Sequence, residues 1–577
     1  MKNLLYLFRI KLQMKQSTLL IAVSIFISLA FLNIASAQQG SGANNMGEIH
    51  GNFQTDLQYY MLDTSIGANV PPQKFGNNSF LNILYNKDNF TAGIRYENYL
   101  YPLLGFDTRY KGQGIPYRFA TYQKDGLEVT AGNFYEQFGS GMALRTYEER
   151  SLGYDNVFDG ARLRYYGVKG LTIKGLVAKQ RNFFSVGDGL VRAIDGEISL
   201  NDLIASRQGK KFNLTFGSCF VSKFQEDNDP TYKLPQNVGL GGGRIKANIG
   251  SYTFSAEYVR KGQDPSAINN NIYKFGEGLI FNAAYSQKGF GITASAKRID
   301  NMNYRSDRNA NNNSLMINYL PALTKQHNYN LAATIYPYAT QPNGEMAYQV
   351  DLTYSFKKGT LIGGTYGATL LVNYSQANGL KKSTTTYPDN ANEGYTSDFI
   401  KLGEVYYKDF NVELSKKISK KLRTTFFYAN FVYNRTVIQG IPLNTVYANV
   451  EVVEIDYKFN SSNALRVELQ ALQTNSDDKL ELKDLQSQNA HGSWATLLAE
   501  YTISPHYFFS VIDQYNYGNP LDYKKKHYLI GSIGYTYHAN RFAISYGKQR
   551  AGIFCVGGVC RQVPASNGLQ ISVSSSF

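Results

Sequence analysis

The chain has 577 residues, of which 14% are aromatic, and it carries a formal net charge of +15. Its mean hydropathy of −0.33 excludes a polytopic helical membrane protein, because such a protein needs many long apolar helices. The 59 Lys and Arg residues are spread along the whole chain, so the charge does not predict a nucleic-acid partner. We interpret it as charge that lines a lumen, occupies turns and contacts lipopolysaccharide.

The N-terminal segment, residues 1–37, has the pattern of a secretory signal peptide. Basic residues precede an apolar run over 19–32, and Ala35-Ser36-Ala37 offers small residues to a signal peptidase. Either Met1 or Met14 could start such a signal. Residues 38–46 then form a short periplasmic tail, which is too short for a soluble domain or a separate plug domain.

Strict alternation of apolar and polar residues follows from Gly47 to the end. Leu465, Val467 and Leu469 alternate with Arg466 and Glu468, for example. The same period recurs over 252–258, 349–356, 529–537 and 542–546. A period of two places the two sets on opposite faces of a strand. After the signal, no apolar run is long enough to cross a membrane as a helix, so a membrane form requires a closed barrel.

Connections of two lengths separate these strands. Tight turns are predicted at 86–89, 124–126, 168–170, 248–250, 357–359, 419–420, 461–462, 504–505 and 539–540, and long polar loops at 225–237, 305–313, 376–398 and 474–489. Short periplasmic turns and long external loops are typical of outer-membrane barrels. We therefore predict an all-β fold, a transmembrane antiparallel β-barrel of the outer-membrane type, with about 24 strands (range about 20–26) in a single domain over 47–577. The least defined stretch is 301–348, where 314–320 is either a strand or part of one long loop.

A glycine-rich stretch over 132–141 is followed by dense charges of both signs. We predict a loop folded into the lumen, in which Arg145, Glu148, Glu149 and Arg150 pair with Asp159, Arg162 and Arg164. Such a charged ladder braces a wide barrel, and as a ring in a pore it also sets selectivity. The candidates for a lumen constriction are Glu136, Arg145, Glu148, Glu149, Arg150, Asp159, Arg162 and Arg164. Interior polar faces are predicted at Glu257, Asp351, Arg466 and Glu468.

Cysteine placement predicts one disulfide. Cys555 and Cys560 flank Gly-Gly in an exported chain, which indicates a disulfide at the tip of an external loop. A metal site is the alternative, but no His lies near the pair. Cys219 is left over as a small residue on a strand.

The last residues, 569–577, alternate and finish on Phe577. This pattern predicts a C-terminal strand that the barrel-assembly machinery recognises. Other aromatic residues near strand ends predict interfacial girdles, and Trp494 is interpreted as an interfacial anchor.

Catalytic patterns are weak. None of the six His residues stands in a nucleophile-elbow or zinc-helix setting. Ser504, His506 and Asp513 are close in sequence, but a triad is defined by spatial roles. We predict no enzyme activity, no catalytic residue, no metal and no cofactor.

Two segments carry a family resemblance: 132–150 (GNFYEQFGSGMALRTYEER) and 547–569 (GKQRAGIFCVGGVCRQVPASNGL). They resemble the signature ends of an exported outer-membrane β-barrel family of the Bacteroidota, classed as a domain of unknown function. The resemblance spans nearly the whole mature chain. It implies an outer-membrane location and a single barrel, and it brings no catalytic residue and no substrate.

Two functions fit this pattern. The first is a passive pore, or a conduit whose lumen is partly obstructed by its own loops. The alternative is a structural or accessory subunit of an outer-membrane secretion or assembly complex. The predicted partners are outer-membrane lipid and lipopolysaccharide, the assembly machinery during insertion and, on the alternative, other subunits of such a complex.

Overall fold

The fold is a closed antiparallel β-barrel. The computed structural model describes residues 46–386, 393–440, 442–474, 492–556 and 559–577, so the predicted signal peptide and nearly all of the tail lie outside the described residues. In the described part of the chain, 24 strands form one sheet. Each strand pairs with its sequence neighbours in this sheet, and the last strand pairs with the first. The prediction of a barrel of about 24 strands is confirmed.

Numbered in chain order, the barrel strands are β1 (Glu48–Tyr60), β2 (Phe75–Lys87), β3 (Phe90–Tyr99), β4 (Gly112–Lys124), β5 (Leu127–Phe134), β6 (Phe158–Tyr165), β7 (Leu171–Asn182), β8 (Ser185–Ser199), β9 (Phe212–Phe224), β10 (Asn237–Ile249), β11 (Tyr252–Lys261), β12 (Gly276–Gln287), β13 (Phe290–Asp300), β14 (Glu345–Phe356), β15 (Ala368–Thr386), β16 (Glu393–Lys417), β17 (Leu422–Asn434), β18 (Thr445–Lys458), β19 (Asn463–Thr474), β20 (Trp494–Ile503), β21 (Tyr507–Tyr515), β22 (His527–Tyr537), β23 (Asn540–Gln549) and β24 (Ser566–Ser576). Short helices are α1 (Leu200–Leu203), α2 (Asn330–Thr334) and α3 (Arg435–Gln439), with single 3-10 turns at Thr108–Tyr110, Arg150–Leu152, Ala205–Arg207, Ala267–Asn269 and Asp522–Lys524. Among the described residues, no helix has both the length and the apolar character to cross a membrane.

Alternation decides which side chain faces which way. On β19, Leu469 is 51% exposed on the outer surface, whereas Glu468 and Gln470 are 5% and 4% exposed and point inward. Large apolar side chains are exposed in the same way on strands around the ring, for example Phe220, Phe426 and Ile544. A surface this apolar is unfavourable in water and is what the hydrocarbon of an outer membrane requires.

Aromatic side chains gather at one end of the outer surface, where the tight turns lie. Tyr252 of β11 and Tyr285 of β12 have ring centroids 4.7 Å apart, and Tyr507 of β21 lies 5.0 Å from Tyr535 of β22. Rings at this level sit where headgroups meet acyl chains, which is the position of an interfacial girdle.

Connection length is sorted by barrel end, with three exceptions among the described residues. Tight turns follow β2, β4, β10, β12, β22 and others at one end, and long connections lie at the other end. The exceptions are the two-residue turn Phe183-Phe184 at the long-loop end, and the connections 200–211, with α1, and 357–367 at the tight-turn end. The tight turn predicted at 357–359 is therefore part of a longer connection. The long loop predicted over 376–398 is wrong in large part, because β15 and β16 extend there as strands of 19 and 25 residues. Most of the loop predicted over 474–489 lies outside the described residues.

The two ends of the barrel wall meet at Gly51 and Phe577. The backbone N–H of Gly51 donates to the Phe577 carbonyl at 2.8 Å, and the Phe577 N–H donates back at 2.9 Å. The Phe577 ring lies directly over Gly51, where a Cβ atom would come within 2.3 Å of the ring. Glycine is therefore the residue that lets this ring pack against the seam.

Candidate functional site

Three connections from the long-loop end fold into the barrel instead of standing above it. They are 135–157 after β5, 301–344 after β13 and 550–565 after β23, and we call them the inner segments. The first two pair with each other, since the Arg145 N–H donates to Ile317 O at 2.8 Å and the Tyr319 N–H donates to Gly141 O at 3.0 Å. The inward fold predicted for the loop that follows β5 is thus present. The insertion of 301–344 into the lumen was not predicted. Of the two alternatives for 314–320, part of one long loop is confirmed and a barrel strand is wrong.

Segment 301–344 crosses the lumen from wall to wall. Its Met316 carbonyl accepts a 2.7 Å hydrogen bond from Gln180 on β7. Its Leu331 N–H donates at 3.1 Å to Gln470 on β19. Because β7 and β19 are twelve strands apart in a 24-strand ring, a segment that touches both must span the interior.

Two buried polar contacts hold the same segment to the wall. His327 lies 2.8 Å from Asp409 of β16, with both side chains nearly inaccessible. Lys297 of β13 pairs with Glu345 of β14 at 2.8 Å and also donates to the Pro321 carbonyl of the segment.

The wall beside this segment is apolar on its inner face. On β18 the inward residues Val446, Ala448, Val450 and Val452 are 0–2% exposed. On the neighbouring strand β17, Phe427 packs edge-on against His327 of the segment, with ring centroids 5.5 Å apart. Inward positions were predicted to be polar because a lumen holds water. Where protein fills the lumen, apolar side chains are favoured instead.

A polar half remains toward the tight-turn end. The interior residues predicted there, Arg466 and Glu468, pair with each other, and Arg466 also pairs with Glu454 at 2.9 Å. From there a polar row crosses eight adjacent strands in register, and it consists of Asp456, Arg466, Glu500, Ser510, Ser532, Ser545, Gln570 and Gln58.

The charged residues of the predicted constriction fall into two clusters. In the first cluster, Glu136 is 4% exposed and accepts from Arg164 at 2.8 Å and from Lys174 at 3.1 Å. Arg162 pairs with Glu128 at 2.6 Å in the same cluster. These contacts tie the first inner segment to β5, β6 and β7.

The second cluster is more deeply buried, and most of it was missed from the sequence. Arg95 of β3 pairs with Glu97 at 2.6 Å, with Asp155 at 2.5 Å and with Glu148 at 2.9 Å. Arg181 of β7 pairs with Glu97 at 2.6 Å and with Asp155 at 2.7 Å. A usable signal was present, because Arg95 and Glu97 occupy successive inward positions of one strand.

The predicted pairing within this region is wrong in detail. Arg145 has no acidic partner among the described residues, and its guanidinium stacks between the rings of Tyr147 and Tyr319, at 4.6 and 4.1 Å. Arg150 pairs with Glu148 at 2.8 Å. Two other residues have local partners, since Glu149 accepts from the Ser151 N–H at 3.2 Å and Asp159 pairs with Arg118 at 3.0 Å. Spacing in the sequence cannot distinguish these partners, because each comes from a different strand or loop.

The disulfide prediction is confirmed. Cys555 and Cys560 are bonded within a hairpin of two short strands, Gly552–Val556 and Val559–Val563, which we call the disulfide hairpin. It is not an extended loop tip. Its Phe554 and Val556 pack on Leu152 and Tyr154 of the first inner segment, and its Cys560 carbonyl accepts from Asn313 at 3.0 Å.

The disulfide hairpin borders three cavities in the lumen. Their volumes are about 630, 590 and 700 Å³. The first includes Cys560 in its wall, the second Ile553 and the third Val556. The second and third cavities adjoin each other, since Phe554, Asn330, Thr334 and Ile512 line both.

Trp494 is not an interfacial anchor, contrary to the prediction. It is 0% exposed and lies inside the barrel, 5.8 Å from the Tyr528 ring and 5.5 Å from the Arg550 guanidinium. The error has a simple cause: inward and outward positions alternate, and Trp494 is one residue away from an outward position.

The residues considered for catalysis and metal binding are not brought together. Asp513 lies 2.7 Å from His527, whereas the His506 ring contacts the Thr536 carbonyl at 2.9 Å. In the portion of the chain that the structure describes, no three His, Cys, Asp or Glu residues are placed to hold a metal ion. Cys219 lies on β9, buried and unpaired by any disulfide.

We expect the disulfide to stabilise the hairpin and not the barrel. Replacing Cys555 and Cys560 by Ser should destabilise the hairpin by about 2 kcal/mol, because its unfolded form regains loop entropy. The effect should be local, since the two cysteines are only five positions apart in the sequence. Trypsin should then cut at Arg561, while heat-modifiable migration of the barrel on gels stays unchanged. Mass spectrometry of the fragments reads the site of cutting. A drop in barrel stability with no new cut would contradict a local role.

The chain is similar to one protein family and to several solved structures. A family model described as "Family of unknown function (DUF6029)" matches residues 14–577. No curated protein matches the chain. Similar solved structures include the P pilus usher (PapC) translocation pore, with 9% identity and a TM-score of 0.42 over 92% of this chain and 99% of that chain. Another is the outer membrane protein OprD from Pseudomonas aeruginosa, with 10% identity and a TM-score of 0.32 over 76% of this chain and 91% of that one.

Proposed function

The chain belongs to the DUF6029 family of unknown function, and from that premise we propose that it is an outer-membrane conduit held closed by its own inner segments. The observation that carries the proposal is the arrangement of the three cavities. All three adjoin one small hairpin, and its Phe554 lies between the second and the third together with residues of segment 301–344 and β21. Movement of this hairpin would join the three spaces.

The disulfide hairpin is the element best suited to move. Segment 301–344 is held by an apolar core and by the buried polar contacts of His327 and of the Pro321 carbonyl, so its displacement would expose both to water. The hairpin is held by less, chiefly the Phe554 and Val556 contacts, the Asn313 hydrogen bond and two Arg561 hydrogen bonds to backbone carbonyls. Elements with few buried contacts open at the lowest free-energy cost.

The polar row would line the path that forms in the lumen when the hairpin moves, and its side chains can be hydrated. It crosses β18 to β24 and continues onto β1, and it carries small side chains such as Ser510, Ser532 and Ser545. Small hydroxyl side chains leave room and hydrogen-bond to water, which favours passage of polar solutes along this side of the lumen.

Single-channel recording in planar bilayers tests the conduit. Wild-type protein should show rare openings of small conductance. Replacing 552–563 by a short Gly-Ser linker should raise mean conductance at least about tenfold, because the three cavities then become one path. A matched control shortens 228–232, an exposed stretch of the loop after β9. A hairpin deletion that folds but stays electrically silent would refute the conduit.

The alternative function is a structural or accessory subunit of an outer-membrane secretion or assembly complex. One observation favours it: much of the lumen contains a packed apolar core, which is unusual for a water-filled pore. Affinity purification from native membranes separates the two functions. Stable copurifying subunits together with a silent hairpin deletion would select the alternative, whereas recovery of the lone chain would count against it.

The remaining attributes belong to the same proposal. We propose that residues 1–37 are cleaved on export, that the source is a member of the Bacteroidota, and that the protein has no enzyme activity. Its partners are then outer-membrane lipid and lipopolysaccharide, with Phe577 read by the assembly machinery during insertion.

A further inference from the structure

The second cavity, of about 590 Å³, has an unusual balance of charge. Its wall includes the cations Arg150, Lys548, Arg550 and Arg561, and the carboxylate of Asp56. Arg150 and Lys548 are neutralised by acids outside the cavity wall, namely Glu148 at 2.8 Å and Asp63 at 2.7 Å. Asp56 accepts from the Ser572 hydroxyl at 2.6 Å and from the Gln54 amide at 3.3 Å.

Arg550 and Arg561 have no such acid. Arg550 is 8% exposed and donates to Gln514, to Thr334 and to the Ala551 carbonyl, all of which are neutral. Arg561 donates to the backbone carbonyls of Ser151 and Leu104, at 3.0 and 3.4 Å. Within 4 Å of either guanidinium, the described residues offer no carboxylate.

Burial without a counter-charge is costly for both groups. Desolvation lowers the pKa of Arg550 and that of Arg561 to about 10 in each case. Nearby tyrosines, Tyr528 and Tyr60 among them, offset only part of the loss of water around the cations. An anion in the cavity that both side chains border would supply that offset.

The rest of the cavity wall is largely apolar. Phe80, Phe106, Ile512, Tyr528 and Phe554 are among its apolar lining residues. A bare inorganic ion would leave these side chains facing empty space or water. A molecule with one charged group and an apolar body would satisfy both parts of the wall.

We propose that this cavity is a binding site for an amphipathic organic anion, whose charged group contacts Arg550 and Arg561 and whose apolar body lies against Phe106 and Tyr528. The proposal deepens the conduit function by naming a class of solute and rests on it for physiological meaning. Binding itself requires no passage through the lumen.

Trp494 provides a built-in reporter. It is the single tryptophan of the chain, and it lies directly behind Arg550 and Tyr528, which both line the cavity. An anion that binds to the Arg550 guanidinium changes the electric field at the Trp494 indole. Its fluorescence should therefore shift with occupancy.

The test is a fluorescence titration of the folded full-length protein in detergent at pH 7. The probe is 4-phenylbutyrate, and its neutral counterpart is 4-phenylbutyramide. We expect a saturable change with the anion and an affinity for the amide that is weaker by about tenfold or more. Inorganic phosphate should also bind about tenfold more weakly, because it lacks an apolar body. If the amide bound as tightly as 4-phenylbutyrate, the proposed contact between the anion and the arginines would be overturned. If phosphate bound as tightly, the proposed contact of an apolar body with the cavity wall would be overturned.

Variants then locate the site. Arg561→Gln should weaken binding of 4-phenylbutyrate about tenfold, whereas Arg260→Gln, at an exposed position outside the cavity, should not change it. Heat-modifiable migration confirms that each variant is folded. If Arg561→Gln does not fold, the wild-type preference for the anion over the amide still decides. An unchanged affinity in folded Arg561→Gln would overturn the assignment.

The experiments distinguish failure of the proposed anion site from failure of the proposed conduit. Saturable, anion-selective binding with silent bilayers would refute the conduit and leave the site standing. Conductance in the hairpin deletion without anion-selective binding in the wild type would support the conduit and overturn the site.

Discussion

Replacing Glu97 by Gln is expected to lower the free energy of unfolding by about 3–5 kcal/mol. Glu97 is 0% exposed and accepts from Arg95 and Arg181, each at 2.6 Å. The amide leaves two buried guanidiniums with less negative charge than they need, and neither cation can reach water. Urea unfolding in lipid vesicles, followed through Trp494 fluorescence, measures the loss.

A surface pair provides the matched control. Lys401 and Asp398 lie 3.4 Å apart with side chains 74% and 46% exposed, so Lys401→Gln should cost less than about 1 kcal/mol. If Glu97→Gln cost no more than Lys401→Gln, the cluster around Arg95 would have to be hydrated, and its role in bracing the barrel would be lost.

The second large effect is expected from Phe138→Ala. Phe138 is 0% exposed and belongs to the apolar core between the inner segments and the wall. Truncation there removes buried apolar surface and also leaves a cavity, for a cost of about 3–5 kcal/mol. The same urea unfolding assay measures it.

Phe426→Ala is the comparison, because Phe426 is 53% exposed on the outer surface of β17. Lipid fills the space that this truncation leaves, so only the transfer cost of about 2 kcal/mol remains. An equal loss at the two positions would mean that lipid or water enters the lumen beside Phe138, which the packing of the inner segments excludes.

Strand positions could be predicted from the sequence wherever one face is apolar and the other polar. Leu465, Val467 and Leu469 face lipid, and the polar residues between them face inward. Turn chemistry then fixes the strand boundaries, because short Asn-, Gly- and Lys-containing connections leave little freedom of register. The number of strands follows from repetition of this pattern.

The interior could not be predicted in the same way. On β18 the inward residues Val446 and Val450 are as apolar as the outward Tyr447 and Val453, so the pattern that separates lumen from lipid disappears. What covers Val446 and Val450 is an inner core built from segments more than a hundred residues away. No local period in the sequence encodes such a contact.

The candidate site was predicted in part for the same reason. Charges over 136–164 pointed to the first inner segment, but Arg95 and Arg181 join them only because β3 and β7 curve round the same space. Arg145 shows the limit most clearly, since its partners are aromatic rings. A search of the sequence for opposite charges identifies possible acidic partners of an arginine, but it does not identify aromatic ones.

The wedging of segment 301–344 between opposite walls also has a consequence for dynamics. Amide protons of this segment should exchange with solvent only in the rare events that open the neighbouring strands, so segment and wall behave as one cooperative unit. Amides of the disulfide hairpin should exchange far sooner, through their own local opening. Hydrogen–deuterium exchange would thus show two parts of the interior: segment 301–344, whose amides exchange slowly, and the disulfide hairpin, whose amides exchange fast.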